Sequence, residues 1–345
     1  MATIFDVAAE AGVSHQTVSR TLNGDPTVRA ATRERVQAAV ERLGYRRNAA
    51  ARALASRRTR TIGLITVGLP LYGPSSITNS FNAAVRRSGW DVSIAALDQS
   101  ASEVRHAADA LLGQDVQALV VVGPTPSVTE GLRDLSFRVP LLTTVRSDVP
   151  GAHWVGIDNE AGAVLAVRHL AGLGHRSVVH VAGPADWTEA QDRERGWRRA
   201  SAELGLALPE VLRGDWTAAD GYRIGRRIAE EGGTTAVFSA NDQMALGLLA
   251  AFSAAGVRVP EDISLVGFDD IPEAAFFLPP LTTVRQDFAG LGERLTALLD
   301  TLLAGAHPAD PPAQLPDLVL RRSTGRIPTG PRAEAPPVAS CERSL

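Results

Sequence analysis

Two groups of side chains in this sequence have the types and spacing to recognise a polar partner. The first is His15-Gln16-Thr17, with Arg20 one helical turn on and Ser14 just before. A Gln amide can hold adenine and an Arg guanidinium can hold guanine through paired hydrogen bonds, each worth about 1–3 kcal/mol of discrimination. His15 adds one donor or acceptor and a flat ring. The same residues could equally be the solvated face of an ordinary helix. The second group lies in four islands. These are Leu71-Tyr72-Gly73-Pro74-Ser75-Ser76-Ile77; Arg193 with Trp197; Gly214-Asp215-Trp216-Thr217; and Ala240-Asn241-Asp242 with Phe268-Asp269-Asp270. Gln286 and Phe288 complete the set. A polyhydroxylated ring needs planar polar groups for its hydroxyls and an apolar platform for its C–H faces. Leu71, Pro74 and Ile77 would form an apolar wall, and Trp216 would stack on the ring. Taken singly, Trp216 also fits a core position, Arg193 a surface helix, Asp269 a loop and Asn241 an N-cap.

The elements that must position the first group can be read from residues 3–44. Thr3 is placed to cap a helix, with Asp6 three residues on to return the bond. Phe5, Val7, Ala8 and Ala11 supply its apolar face. Gly12 permits the positive φ of a sharp turn, and Ser14 caps a second helix whose Val18 and Leu22 face inward. Two short helices joined this way form a helix-turn-helix, whose second helix enters the major groove of DNA. Asn23-Gly24-Asp25-Pro26 is a loop. A third helix runs from about Ala30 to Leu43, with Val36, Ala39, Val40 and Leu43 inward and Gly44 ending it. Arg29, Arg33, Arg46 and Arg47 are candidates for phosphate contacts, which position without specifying sequence. Asn48 can cap a short Ala-rich helix, Ala49 to Ser56, which on residue types alone is a helical linker.

From Thr61 short apolar runs alternate with helical segments. Residues 62–67, 91–97, 118–122 and 141–145 read as buried strands, with helices near 75–88, 102–113 and 127–135 between them. A second series has strands near 178–182, 236–239 and 264–268 and helices near 159–173, 188–204, 217–231 and 241–255. A helix at 287–304 returns to the first half. The fold class expected is therefore α/β: two parallel-sheet halves, an all-α helix-turn-helix headpiece before them, and a ligand cleft at the carboxyl ends of the strands. The tail from Ile327 is rich in Pro, Ala and charge and reads as disordered.

Charge distribution supports a polyanion partner at one end only. Residues 1–60 hold eleven Arg against five Asp or Glu, a balance of +6, so the rest of a chain of net charge −3 carries −9. The single cysteine, Cys341, excludes an intrachain disulfide framework or a cysteine-based metal site. No apolar run reaches the roughly 20 residues of a membrane span, and the amino terminus reads as a capped helix rather than an apolar leader. A cytoplasmic protein is expected. Neither Gly-x-x-x-x-Gly-Lys nor Gly-x-Ser-x-Gly is present, the seven His lack metal-ligand spacing, and nothing marks Asp269-Asp270 as an acid–base pair. An enzyme is not expected, and no cofactor or metal is called for. A sugar-binding protein of transport is compatible with the body but not with the headpiece.

The run Gln16-Thr17-Val18-Ser19-Arg20, the capped pair of helices around Gly12, and the islands together resemble the lactose-repressor (LacI/GalR) family of bacterial transcription regulators, over nearly the whole chain to about Arg326. The resemblance implies a sequence-specific repressor of double-stranded operator DNA, released by a small sugar, with a periplasmic-binding-protein-like core and a homodimeric assembly. It implies DNA contacts at Ser14, His15, Gln16, Thr17 and Arg20. It also implies a hinge helix that pairs with its dimer mate in the minor groove and wedges Leu54 into the central base step. In the sugar cleft it makes Arg193, Asn241 and Asp269 hydroxyl binders, beside Leu71, Pro74, Ile77, Trp216, Gln286 and Phe288. A galactoside inducer is the first expectation, with other hexosides, pentosides, disaccharides or a co-repressor polarity as alternatives. The domains implied are a headpiece at 1–47, a hinge at 48–60, a core at 61–326 and the tail at 327–345. Within the core, the first half takes 61–157 and 286–316 and the second 158–285 and 317–326. Three positions depart from the family pattern: Arg29 replaces a small hydroxyl residue, Arg47 a proline, and Val145 a sugar-binding aspartate, for which Arg146 or Asp148 could substitute. The tail lacks the leucine heptad of tetrameric members.

Overall fold

The structure, a computed structural model, describes residues 2–22, 24–45, 59–68, 70–97, 100–133 and 135–327. The expected hinge helix with Leu54, the phosphate candidates Arg46 and Arg47, and the tail beyond Ile327 lie outside the described residues. The chain divides into two compact units, 1–59 and 60–345.

The first unit contains α1 (Ile4–Ala11), α2 (His15–Leu22) and α3 (Ala30–Leu43). The cap on α1 is reciprocal: the Thr3 N–H donates to Asp6 Oδ2 at 2.7 Å, and the Asp6 N–H donates to Thr3 Oγ1 at 3.3 Å. This satisfies donors that a helix start leaves open. Gly12 ends α1 at φ 63°, and the Thr17 N–H donates to Ser14 Oγ at 3.2 Å to open α2. Val7, Ala8, Ala11, Val18, Val36 and Ala39 are buried between the three helices. Two expected core residues are not. Phe5 is 64% exposed, because the inner stripe of α1 is Ile4-Val7-Ala8-Ala11 and Phe5 falls one helical step off it. Leu43 is also exposed. Tyr45 packs against that end of the core instead, after Gly44 turns the chain at φ 55° and the Tyr45 N–H closes on the Val40 carbonyl at 3.0 Å.

The second unit holds two sheets. The first, ordered β2-β1-β3-β4-β5, comprises β1 (Thr61–Val67), β2 (Asp91–Leu97), β3 (Leu119–Val122), β4 (Leu141–Thr143) and β5 (Ala152–Trp154), all parallel. Its strands alternate between two cores. Ile62, Leu64, Val120 and Val122 meet α4 (Tyr72–Arg87) and α11 (Phe288–Leu303). Ile65, Val67, Leu119 and Val121 meet α5 (Ala101–Leu112) and α6 (Pro126–Arg133). β2 lies at the sheet edge and is only partly buried, not the fully buried strand expected from its apolar residues.

The second sheet is ordered β11-β10-β9-β8-β6-β7. It comprises β6 (Val179–Ala182), β7 (Leu212–Arg213), β8 (Ala236–Ser239), β9 (Ser264–Asp269), β10 (Thr282–Arg285) and β11 (Asp317–Val319). Every pairing is parallel except β10 with β11. On one face Val178, Phe238, Val266 and Phe268 pack with α7 (Asn159–Gly172) and α8 (Thr188–Glu203). On the other Val181, Val237 and Leu265 pack with α9 (Ala218–Glu231) and α10 (Asp242–Ala254). The chain passes between the two sheets three times: after β5, after β10 into α11, and before β11. At the α4–α11 crossing a Cβ on Gly292 would lie 2.6 Å from the Ser80 carbonyl carbon, so only glycine allows these helices to approach so closely.

Candidate functional site

A cleft opens in the second unit where strand ends from both sheets converge. Leu71 precedes α4, Asn241 joins β8 to α10, Asp269 ends β9, Gln286 follows β10 and Phe288 begins α11. Trp216 sits between β7 and α9, and Arg193 lies on α8. Leu71, Pro74, Ile77, Arg193, Trp216, Asn241, Asp269, Gln286 and Phe288 all line this one cleft. So do Tyr72, Gly123, Trp187 and Glu189, which sequence reasoning does not single out as ligand contacts. Glu189 has a readable signal: it stands four residues before Arg193 on a helix, which puts both on one face.

Arg193 is the centre of the polar end. It is 5% exposed. Its Nε donates to Asn159 Oδ1 at 2.8 Å, one Nη donates to the Ala240 carbonyl, and the other lies 3.5 Å from Asp269 Oδ1. Its guanidinium carbon is 3.8 Å from the Phe268 ring centroid, a packing a planar cation can use. Gln286 Nε2 donates to the same Asp269 oxygen at 2.6 Å. Burial pushes the Asp269 carboxyl up to about 6, against the opposing pull of Arg193 and Gln286, and it lowers the Arg193 guanidinium. Behind them Asp242 accepts from the Thr283 hydroxyl at 2.6 Å and the Ile271 N–H at 2.9 Å; burial and then the neighbouring Asp269 raise it well above the carboxylate range. Asn241 caps α10: its Oδ1 accepts from the Met244 N–H at 2.9 Å, and its Nδ2 donates to the Trp216 carbonyl at 3.0 Å. The cap expected of this residue and a place in the cleft wall thus coincide.

The cleft and its edge are built on unusual backbone. Trp216 (φ 74°), Asp269 (φ 109°) and Asp270 (φ 54°) are three of the four non-glycine residues with positive φ among the described residues. Such conformations cost of order 1–3 kcal/mol each and persist where surrounding contacts over-determine them. Asp270 is held by Arg285 and Arg321, each at 2.6 Å. A Cβ on Gly183 would lie 2.2 Å from the Trp216 ring, so glycine there makes room for the indole. Trp187 meets Trp216 edge-on at 6.2 Å, and a Cβ on Gly68 would lie 2.5 Å from Trp187.

The expectation that Arg146 or Asp148 substitutes for an aspartate at position 145 is not met. Arg146 lies over the Trp154 ring at 3.9 Å, Asp148 pairs with Arg133 at 2.6 Å, and neither lines the cleft. Val145 itself is buried.

In the first unit, Ser14, His15, Gln16 and Arg20 are exposed at the start and along one side of α2, and Thr17 is half-buried. The His15 ring centroid is 5.2 Å from that of Phe5. Arg20 does not simply project into solvent: its Nε pairs with Asp25 Oδ2 at 2.9 Å and an Nη donates to Thr27 Oγ1. Hydrogen bonds from Thr27 and Arg20 hold Asp25 at about 2. Arg29 precedes α3 without a side-chain cap, and Arg33 donates to the Asp25 carbonyl at 3.2 Å. Among the described residues no helix is long and apolar enough to cross a membrane, and no group of three or more His, Cys, Asp or Glu is placed to hold a metal ion.

Comparison with known proteins follows the same division. Residues 3–48 match the family described as bacterial regulatory proteins, lacI family, and residues 167–324 match a periplasmic binding protein-like domain. The chain is similar to the lactose operon repressor of Escherichia coli (strain K12), 36% identical over 84% of this chain and 82% of that protein. It is similar in structure to a lac repressor dimer bound to operator and the anti-inducer ONPF, with TM-score 0.86 and 34% identity, covering 94% of this chain and 99% of that one. It also resembles a complex of the transcriptional regulator CelR with cellobiose, with TM-score 0.70 and 31% identity, covering 94% of this chain and 100% of that one.

Proposed function

The chain belongs to the lacI family of bacterial regulatory proteins, and from that premise we propose that it is a DNA-binding transcriptional repressor whose operator affinity is set by a small sugar in the cleft of its second unit. The observation that carries the reading is convergence. Nine residues from six separate stretches of chain line one cleft, in a protein whose other unit is a capped helix-turn-helix. Ser14, His15, Gln16, Thr17 and Arg20 read the operator. Arg193, Asn241, Asp269 and Gln286 bind sugar hydroxyls, and Leu71, Pro74, Ile77, Trp216 and Phe288 pack on the ring. The protein works as a homodimer in the cytoplasm on a roughly palindromic operator. It is not an enzyme: its chemistry is two binding events coupled in one chain.

The sugar is an inducer, and a galactoside is the first choice. It acts by binding the DNA-releasing state more tightly than the DNA-holding state, since equal affinity for both would shift nothing. The two sheets move relative to each other around the bound ring, and the change is passed on to the helix-turn-helix through the hinge at 48–60. A thermal-shift screen of the full chain against neutral galactosides, glucosides, pentosides and disaccharides tests the ligand half of this reading. Stabilisation by one class at millimolar concentration is expected; none by any saccharide contradicts it.

A further inference from the structure

Six buried side-chain polar atoms among the described residues have no hydrogen-bond partner. Two belong to residues that line the cleft: Glu189 Oε2 and Trp216 Nε1. Buried polar groups are ordinarily paired, so an unpaired acceptor and an unpaired donor on two residues that line one cleft are open to partners from a ligand once their side chains turn toward it. The charge of the polar end narrows the ligand further. Arg193, the cation among the described lining residues, is already engaged by Asn159, the Ala240 carbonyl and Asp269. Against it stand the carboxyls of Glu189 and Asp269 in the lining, with Asp242 buried behind. A phosphate or carboxylate entering here would meet acids and no spare cation in the lining.

We propose that Glu189 is a specificity-determining ligand contact: Oε2 accepts a hydrogen bond from a hydroxyl of the bound sugar while Trp216 Nε1 donates to another of its oxygens, so the site takes a neutral, unphosphorylated saccharide. This rests on the reading of the cleft as a sugar site. The acidic partner that Val145 cannot provide is then carried on α8, away from the segment where Arg146 and Asp148 are held by Trp154 and Arg133.

The proton on Glu189 supplies a second handle. Burial pushes this carboxyl up to about 7, offset in part by Arg193 and reinforced by Asp192 and Asp269. The charged groups around it are Arg193 and Asp192 on its own helix and Asp269 at the end of β9; the Tyr72 phenol faces the same cleft from α4 and is pushed up by burial. A hydroxyl donates more strongly to a carboxylate than to a neutral carboxyl, so the ionised form holds the sugar better. With a value near 7, the ionised fraction rises about tenfold from pH 6 to pH 8, and affinity for the sugar rises with it.

The test is calorimetric titration of the full chain and of its Glu189→Gln and Glu189→Ala forms at pH 6 and pH 8. The probes are methyl β-D-galactopyranoside, cellobiose and galactose 6-phosphate, with a melting curve of each unliganded protein. Expected are a roughly tenfold tighter binding of a neutral saccharide at pH 8 than at pH 6, rejection of the phosphate ester, and a loss of both affinity and pH dependence in the two variants. The unliganded Glu189→Ala form should melt no lower than the parent, because it loses a buried unpaired acceptor; a residue that merely supports the fold would lower the melting point. If the variants bind the neutral sugar with the parent's affinity and pH profile, or the parent prefers the phosphate ester, the proposal is overturned while the sugar site stands. Binding of no saccharide by the parent overturns both.

Discussion

Replacing Arg193 with Met keeps the length of the side chain and its packing on Phe268 but removes the charge and every donor. In the structure that leaves the Asn159 amide oxygen and the Ala240 carbonyl without the Arg193 donors and the Asp269 carboxylate with Gln286 but no cation, all at a buried site. Breaking a buried ion pair from one side costs about 3–5 kcal/mol. For a unit of this size 1 kcal/mol corresponds to roughly 2–4 °C, so the melting temperature should fall by roughly 10 °C. The deficit should also depend on pH. In the parent, Asp269 is raised to about 6, so the folded state holds more protons than the unfolded state between about pH 4 and pH 6. Stability from this group therefore falls as pH rises through that window and is level above it. Without Arg193 the Asp269 carboxyl moves higher, and the fall continues past pH 6. Melting both proteins at pH 5 and pH 8 should show the smaller deficit at pH 5. Equal deficits at the two pH values, or a loss below about 1 kcal/mol, would refute a charged Asp269 paired with Arg193.

Two further outcomes follow from local geometry. Gly183→Val places new carbon against the Trp216 ring, so the indole must leave its site; tryptophan emission should shift and saccharide binding should fall at least tenfold, while operator binding persists. An unchanged sugar affinity would remove Trp216 from the ligand contacts. Asp25→Ala releases Arg20 from its pairing in the loop after α2. If Asp25 orients Arg20 for a base, affinity for the operator should drop several-fold more than affinity for a scrambled duplex in fluorescence anisotropy at fixed salt. Because Asp25 is held at about 2, its charge and this effect are present above about pH 4 and constant from pH 5 to pH 8. Equal losses on both duplexes would mean that Arg20 contacts only the backbone.

Long periodic elements are legible in the sequence because burial of one face repeats along them. The helices of the second unit lie within about three residues of where spacing puts them, and the caps at Thr3, Ser14 and Asn241 follow from side-chain chemistry over three residues. What is not legible depends on neighbours distant in sequence. β5, β7, β10 and β11 are two to four residues long without the run of apolar residues that marks β3, β6 and β8, and they are set by the strand each pairs with. The antiparallel β11 returns near the end of the described chain to an edge set some 30 residues earlier. Phe5 is hard to place because a two-turn helix offers two nearly equivalent apolar stripes, and only α3 decides between them. In the cleft, the nine residues implied by the family resemblance come together, whereas Glu189 and Trp187 escape sequence reasoning because only the packing of α8 against the cleft turns them toward it. Arg146 and Asp148 have the right chemistry to stand in for an aspartate at position 145, but Trp154 and Arg133 take their side chains elsewhere.

Everything proposed for this protein depends on coupling between a DNA reader and a sugar cleft in one chain. Its most direct test is the affinity of the full protein for a palindromic fragment from its own promoter regions, measured by anisotropy at constant salt, with and without a saturating saccharide found in the thermal-shift screen. The saccharide should weaken operator binding at least tenfold, about 1.4 kcal/mol of coupling, and leave scrambled DNA unaffected. Operator affinity that stays within twofold when the cleft is filled would contradict it.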